Sequence, residues 1–188
     1  MSTLNVPTPP LQAMAASPQT ANEAAVMAAI AHLADPEIPV ISLSELGILR
    51  GVRTGADGVA EVVITPTYSG CPAMGQIEDD VKTALAQHGL HARVVTQLSP
   101  AWTTDWMTEA AREKLRAYGI APPQCGSAGD TSHGTVKFSR RATRAESVPC
   151  PQCGSRNTTE TSPFGSTACK SLFKCLDCSE PFDYFKPI

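Results

Sequence analysis

Two Cys-x-x-Cys pairs, Cys150 with Cys153 in CPQCG and Cys175 with Cys178 in CLDCS, constrain this chain more than anything else in it. A two-residue gap lets one tight turn aim both sulfurs at a single ion, and two such turns on facing hairpins complete a tetrahedron. The stretch between the pairs, 154–174, is Thr-rich and turn-bearing, as a β-ribbon should be. So small a module buries too little apolar surface to hold without a metal. A closed four-thiolate set leaves no position for water or substrate, which points to a structural zinc. An iron–sulfur cluster on the same four ligands and a pair of redox disulfides are the alternatives. Cys169 reads as a small core residue of the ribbon, its alternative being a fifth thiol that exchanges into the set. Phe164, Phe173, Phe182, Tyr184 and Phe185 read as the ribbon's packing and contact surface.

The rest of the 188 residues leaves room for one ordinary domain beside that module. A hydrophobic content of 42% supports a packed core, while 16 prolines and only 5% aromatic residues indicate that part of the chain is loosely folded. The formal net charge of -3 lacks the cationic field that nucleic-acid binding requires, so no nucleic-acid partner is expected. No apolar run approaches a membrane span, and the N-terminus has neither the basic start nor the apolar stretch of a secretory signal. No membrane association and a cytoplasmic location follow as expectations. In a reducing compartment seven cysteines read as metal ligands or reactive thiols before disulfides.

Punctuation along the chain predicts four regions: a disordered tail over 1–19, an α+β domain over 20–121, a linker over 122–147, and the ribbon over 148–188. Residues 20–33 carry apolar Val26, Met27, Ile30 and Leu33 at helical spacing, with Thr20 or Asn22 as cap. Pro36 and Pro39 then force an extended path. Apolar runs on either side of Gly55-Ala56-Asp57-Gly58 predict a hairpin. Pro72 opens a helix with Met74, Ile77, Val81 and Leu85 on one face and Gly89 at its end. A third strand over 91–98 and a third helix from 103 to Gly119 complete an α-β-β-α-β-α order. The linker holds a basic patch at SRRATR and one short strand at TVKFS.

Outside the paired set, Cys71 in TPTYSGCPAMGQ is the most suggestive thiol. Adjacent to the start of a helix, its sulfur would face the positive end of the dipole and the unpaired first-turn amides, which favours thiolate over thiol. Gly70 would leave its approach open, and Thr65 and Thr67 could add hydroxyl donors. The alternative is an inert, half-buried cysteine. Asp35 and Glu37 in DPEIP are either paired carboxylates or a turn cap. His32, His88, His91 and His133 fall at no ligand spacing, Trp102 and Trp106 read as core or subunit-contact anchors, and Cys125 in the linker looks incidental.

Taken together, DPEIPVISLSELGILRGV, TPTYSGCPAMGQIEDDV and LSPAWTTDWMTEAAREKLRAYGIAPP resemble the iron–sulfur assembly domain family, which includes the SufT-like proteins, over residues 22–122. With the C-terminal cysteine module added, the likeness narrows to the PaaD family of bacterial phenylacetyl-CoA epoxidase systems, which joins that domain to a zinc ribbon. The resemblance implies a maturation helper in aerobic phenylacetate breakdown, beside a di-iron oxygenase and its iron–sulfur reductase. It makes Cys71 the motif cysteine and Asp35 with Glu37 the acidic turn. Iron or an iron–sulfur cluster would be held transiently there and shared across a homodimer or with a client. The alternative function is a stoichiometric component taking part in epoxidation. Against that, the chain has neither the Glu and Glu-x-x-His pairs of a helical di-iron site nor a dinucleotide fingerprint.

Overall fold

A computed structural model describes residues 18–124 and 147–188. Most of the expected tail and linker, with Cys125, His133, the SRRATR patch and the TVKFS strand, lies outside the described residues. Helix α1 runs Pro18–Ile30. It therefore starts before both expected caps, and proline, with its fixed φ, suits a first helical turn. Its face of Val26, Ala29 and Ile30 is buried in the core.

The path after Pro36 and Pro39 is not simply extended. It closes into a short helix α2, Leu43–Leu46, under a capping box in which Ser42 accepts from the Glu45 amide and Glu45 from the Ser42 amide. Strands β1 (Leu49–Thr54) and β2 (Ala60–Ile64) form the expected antiparallel hairpin, with a register shift between Leu49 and Gly51. Helix α3, Met74–Gln87, then crosses over to β3, Ala92–Thr96, which lies parallel to β2. The sheet order β1-β2-β3 makes β2 central, and accordingly Ala60, Val62, Val63 and Ile64 are all buried. Ile77, Val81, Ala84 and Leu85 of α3 are buried within the same core.

The third expected helix is divided. Thr103 caps a single 3-10 turn at Thr104–Trp106, and Thr108 caps α4, Glu109–Tyr118, by accepting from the Ala111 amide. Two hydroxyl caps five residues apart compete with one continuous helix, because each offers the backbone a better start. Gly119 ends α4 at φ 93, in the left-handed region.

The chain then enters β4, Ile120–Ala121, which belongs to the second sheet rather than the first. That sheet has the order β4-β7-β6-β5, with β5 Thr158–Ser162, β6 Lys170–Cys175 and β7 Pro181–Phe185. β4 pairs parallel with β7, while β6 is antiparallel to both neighbours. The ribbon is thus stitched to the end of the first unit by main-chain pairing. Phe185 of β7 is buried in the principal core, its ring 5.9 Å from that of Trp102. Phe173 and Phe182 form a smaller core with Ala121 and Val148, whereas Phe164 stands exposed under the Lys186 ammonium. Among the described residues, no helix is long and apolar enough to cross a membrane.

Candidate functional site

The first cysteine pair precedes β5, and the second bridges β6 and β7. In each turn the residue after the second cysteine is left-handed, Gly154 at φ 75 and Ser179 at φ 65. Backbone amides of both turns face the sulfurs: Ser155 donates to Cys153, Asp177 and Cys178 to Cys175, and Glu180 to Cys178. The carboxylate of Asp177 accepts from the Ser155 hydroxyl and, at 2.7 Å, from the Asn157 amide, tying the two turns together.

The four sulfurs all lie within 4.8 Å of one another. Cys150 to Cys178 is 3.8 Å and Cys153 to Cys175 is 3.6 Å. A tetrahedron with metal–sulfur bonds of about 2.3 Å has edges of about 3.8 Å, so the set fits a tetrahedral thiophilic ion. The protons are unequally held. Amides of Cys178 and Asp177 bring Cys175 down to about 7, while Cys178, despite the Glu180 amide, is pushed up to about 12 by desolvation and the other three sulfurs. Four thiolates at this spacing need a cation to stay together.

Cys71 lies elsewhere. The loop from β2 to α3 turns at Tyr68–Cys71, where the Cys71 amide donates to the Tyr68 carbonyl, and α3 begins three residues later at Met74. The Cys71 thiol is pushed up from its ordinary value, chiefly by burial, and further by negative charge on Cys169, Glu37 and Asp35. Only the Ala73 amide, donating to the sulfur, pulls the other way. The expectation that the helix start holds this sulfur ionised is therefore corrected: one amide is outweighed by desolvation and acidic neighbours. At Gly70 an added Cβ would meet the Tyr68 ring at an ordinary 3.5 Å.

Asp35, Glu37, Thr67 and Cys71 line one crevice of about 20 Å³, together with Cys169 and Phe185 from the ribbon. Asp35 is 6% exposed and accepts from the Glu37 and Ile38 amides, both at 2.9 Å. Burial raises its pKa above the ordinary value in spite of those bonds. Thr65 is not in the crevice. It lines an adjacent cavity of about 250 Å³ with Thr67, Tyr68 and Trp102, and its buried hydroxyl has no hydrogen-bond partner among the described residues. His32, His88 and His91 are exposed.

Cys169 is a buried core residue, as its main sequence reading has it, but it packs in the principal core rather than in the ribbon's own, lines the Cys71 crevice and is absent from the four-sulfur group. No local spacing announces this, because the contact exists only once the ribbon docks. The S-x-x-E signature at Ser42–Glu45, by contrast, is a local signal that suffices to find α2.

Two family models match the chain: one described as an iron–sulfur cluster assembly protein, over residues 23–96, and one described as a PaaD zinc beta ribbon domain, over 135–186. A protein of Escherichia coli (strain K12) named as the D component of 1,2-phenylacetyl-CoA epoxidase is 45% identical over 164 residues, covering 87% of this chain and 92% of its own. The Fe-S protein maturation auxiliary factor SufT of Staphylococcus aureus (strain USA300) is 39% identical over 83 residues, 43% of this chain and 93% of that protein. A crystal structure of a domain of unknown function from Bacillus anthracis is 29% identical with a TM-score of 0.46, covering 52% of this chain and 93% of that one.

Proposed function

Because the chain belongs to the family of the D component of 1,2-phenylacetyl-CoA epoxidase, we propose that it is an accessory factor of such an epoxidase in aerobic phenylacetate breakdown, handling iron or an iron–sulfur cluster through Cys71. The observation that carries this reading is the crevice where Cys71 meets Asp35 and Glu37, inside the segment matched by the iron–sulfur cluster assembly model. Iron is cargo here, so the site must both bind and release. A neutral thiol in a crevice binds a cation by giving up a proton, and it takes the proton back on release. Asp35 and Glu37 supply the negative charge that draws the cation in, and Thr67 lines the same crevice. The ribbon's four cysteines hold a structural zinc with no open position. Clients of this chemistry are the di-iron oxygenase or the iron–sulfur reductase of the same system.

Anaerobic purification, with metal analysis and a visible spectrum, of wild type beside Cys71→Ala tests the reading. Wild type is expected to carry one zinc and, after co-expression with an iron–sulfur assembly system, iron with thiolate-to-iron absorption. Cys71→Ala should keep the zinc and lose the iron. Equal iron in both, or full epoxidase maturation by Cys71→Ala in a complemented strain, would sink it.

A second reading, a stoichiometric component of the epoxidase, is favoured by the relative's name. Epoxidase matured in the presence of this chain and then stripped of it separates the two: retained turnover supports the accessory role, and lost turnover the stoichiometric one.

A further inference from the structure

We propose that Cys169, carried in by the ribbon, is the second sulfur ligand of the Cys71 site, so that one chain offers a ferrous ion two thiolates, one from the loop before α3 and one from the loop before β6. This rests on the reading that Cys71 handles iron. Several observations converge on it. Cys71 and Cys169 line the same crevice, near enough that charge on one opposes charge on the other. The ribbon loop bearing Cys169 is seated on the Cys71 loop, since the Ala168 amide donates to the Tyr68 hydroxyl. Cys169 is fixed by Thr167, whose hydroxyl is 3.1 Å from the sulfur, and by the Lys186 amide donating to its carbonyl at 2.9 Å.

Lys170 lies beside the acidic rim of this crevice. It is 4% exposed, yet its ammonium meets Glu37 only at 4.0 Å and Asp183 only at 3.9 Å. Asp35 adds a third carboxylate within electrostatic range of the ammonium, so the buried cation is balanced by the acidic rim of the crevice itself. Exchange of two thiol protons for one ferrous ion leaves the net charge of the crevice unchanged, so the same carboxylates balance Lys170 in the empty and the loaded site.

Among the described residues, only the ribbon's four sulfurs form a set of three or more ligand groups. The crevice is therefore an incomplete shell, two thiolates with an acidic rim, and a recipient's ligands can enter the remaining positions. Loading is a proton-for-metal exchange: each S–H bond breaks as an Fe–S bond forms, two protons go to solvent per ferrous ion, and no oxidation state changes.

The test uses the zinc-saturated full chain, anaerobic ferrous ion and a competing chromophoric chelator, on wild type, Cys71→Ser, Cys169→Ser and the double variant. Wild type is expected to bind one ferrous ion beyond its zinc. Each single variant should lose at least about tenfold in affinity. The double variant should fall little below either single. Full affinity in Cys169→Ser with loss in Cys71→Ser overturns this inference and leaves the Cys71 reading standing, whereas equal affinity in all four overturns both. Zinc content reports whether the ribbon survives the substitution. Should Cys169→Ser shed its zinc, dibromobimane bridging in wild type decides: a Cys71–Cys169 cross-linked peptide supports the pairing, and its absence overturns it.

Discussion

A carboxyl group 6% exposed with two amides on it is balanced between two demands, and Asp35 shows which one wins. Desolvation raises its pKa more than the Glu37 and Ile38 amides lower it. The folded state therefore holds the Asp35 proton more tightly than the unfolded chain, so its contribution is most favourable below the ordinary value and is lost as pH rises through the folded one. At pH 7 the ionised group is a stability cost. Asp35→Asn keeps an oxygen for both amides and removes the charge, so its melting temperature at pH 7 should equal or exceed that of wild type, the difference vanishing toward pH 4. Iron binding should weaken in the same variant; a lower melting temperature at pH 7 would contradict the reasoning. Cys71 follows the same sign, its thiol being raised by burial and by charge on Cys169, Glu37 and Asp35. Iron-free protein with its ribbon metal in place should thus alkylate more slowly at Cys71 than a free thiol at pH 7, catching up only in the alkaline range. Rapid neutral labelling mapped to Cys71 by peptide mass would refute this.

Two positions show how single residues set the path of elements. Gly47 closes α2 at φ 78, and a Cβ there would stand 2.8 Å from Trp106 Cβ and 2.9 Å from its carbonyl oxygen. Gly47→Ala therefore meets both a left-handed backbone and a hard contact, and should cost about 2 kcal/mol or more in denaturant unfolding. Trp106 cannot retreat freely, because the Arg50 guanidinium lies 3.4 Å from its ring centroid. Ser179 is the opposite case. Its partner position in the first turn is Gly154, and both are left-handed, but only Ser179 carries the Cβ penalty. Ser179→Gly should stabilise the metal-loaded ribbon by about 0.5–1 kcal/mol, read as a raised melting temperature at saturating metal. The repeated C-x-x-C frame makes this comparison possible from sequence, yet only the backbone shows that position 179 adopts the glycine conformation.

At the scale of the whole molecule, what could be read in advance was whatever local chemistry encodes: the cysteine turns, the hairpin at Gly55–Gly58, the buried face of α3 and the Gly119 stop. What could not be read was docking. β4 is two residues long, and nothing in Ile120–Ala121 says that its partner is Asp183–Tyr184. Phe185 has the pattern of ribbon packing but is buried in the principal core against Trp102, and Cys169 lines the crevice beside Cys71. Such contacts between distant segments are decided by shape and burial, not by spacing. They also make the four-sulfur site a remote support of the crevice. Removing its metal should free β5, β6 and β7 together, because the ribbon alone is too small to hold its fold. With β7 gone, Trp102, now 2% exposed and hydrogen-bonded to the Leu46 carbonyl, loses one wall of its pocket. Chelation is therefore expected to shift tryptophan emission to the red and to speed alkylation of Cys71, although Cys71 is no ligand of that metal. A ribbon hung on the domain as an independent bead would unfold without either signal, and unchanged emission with unchanged labelling after complete metal loss would show that arrangement instead.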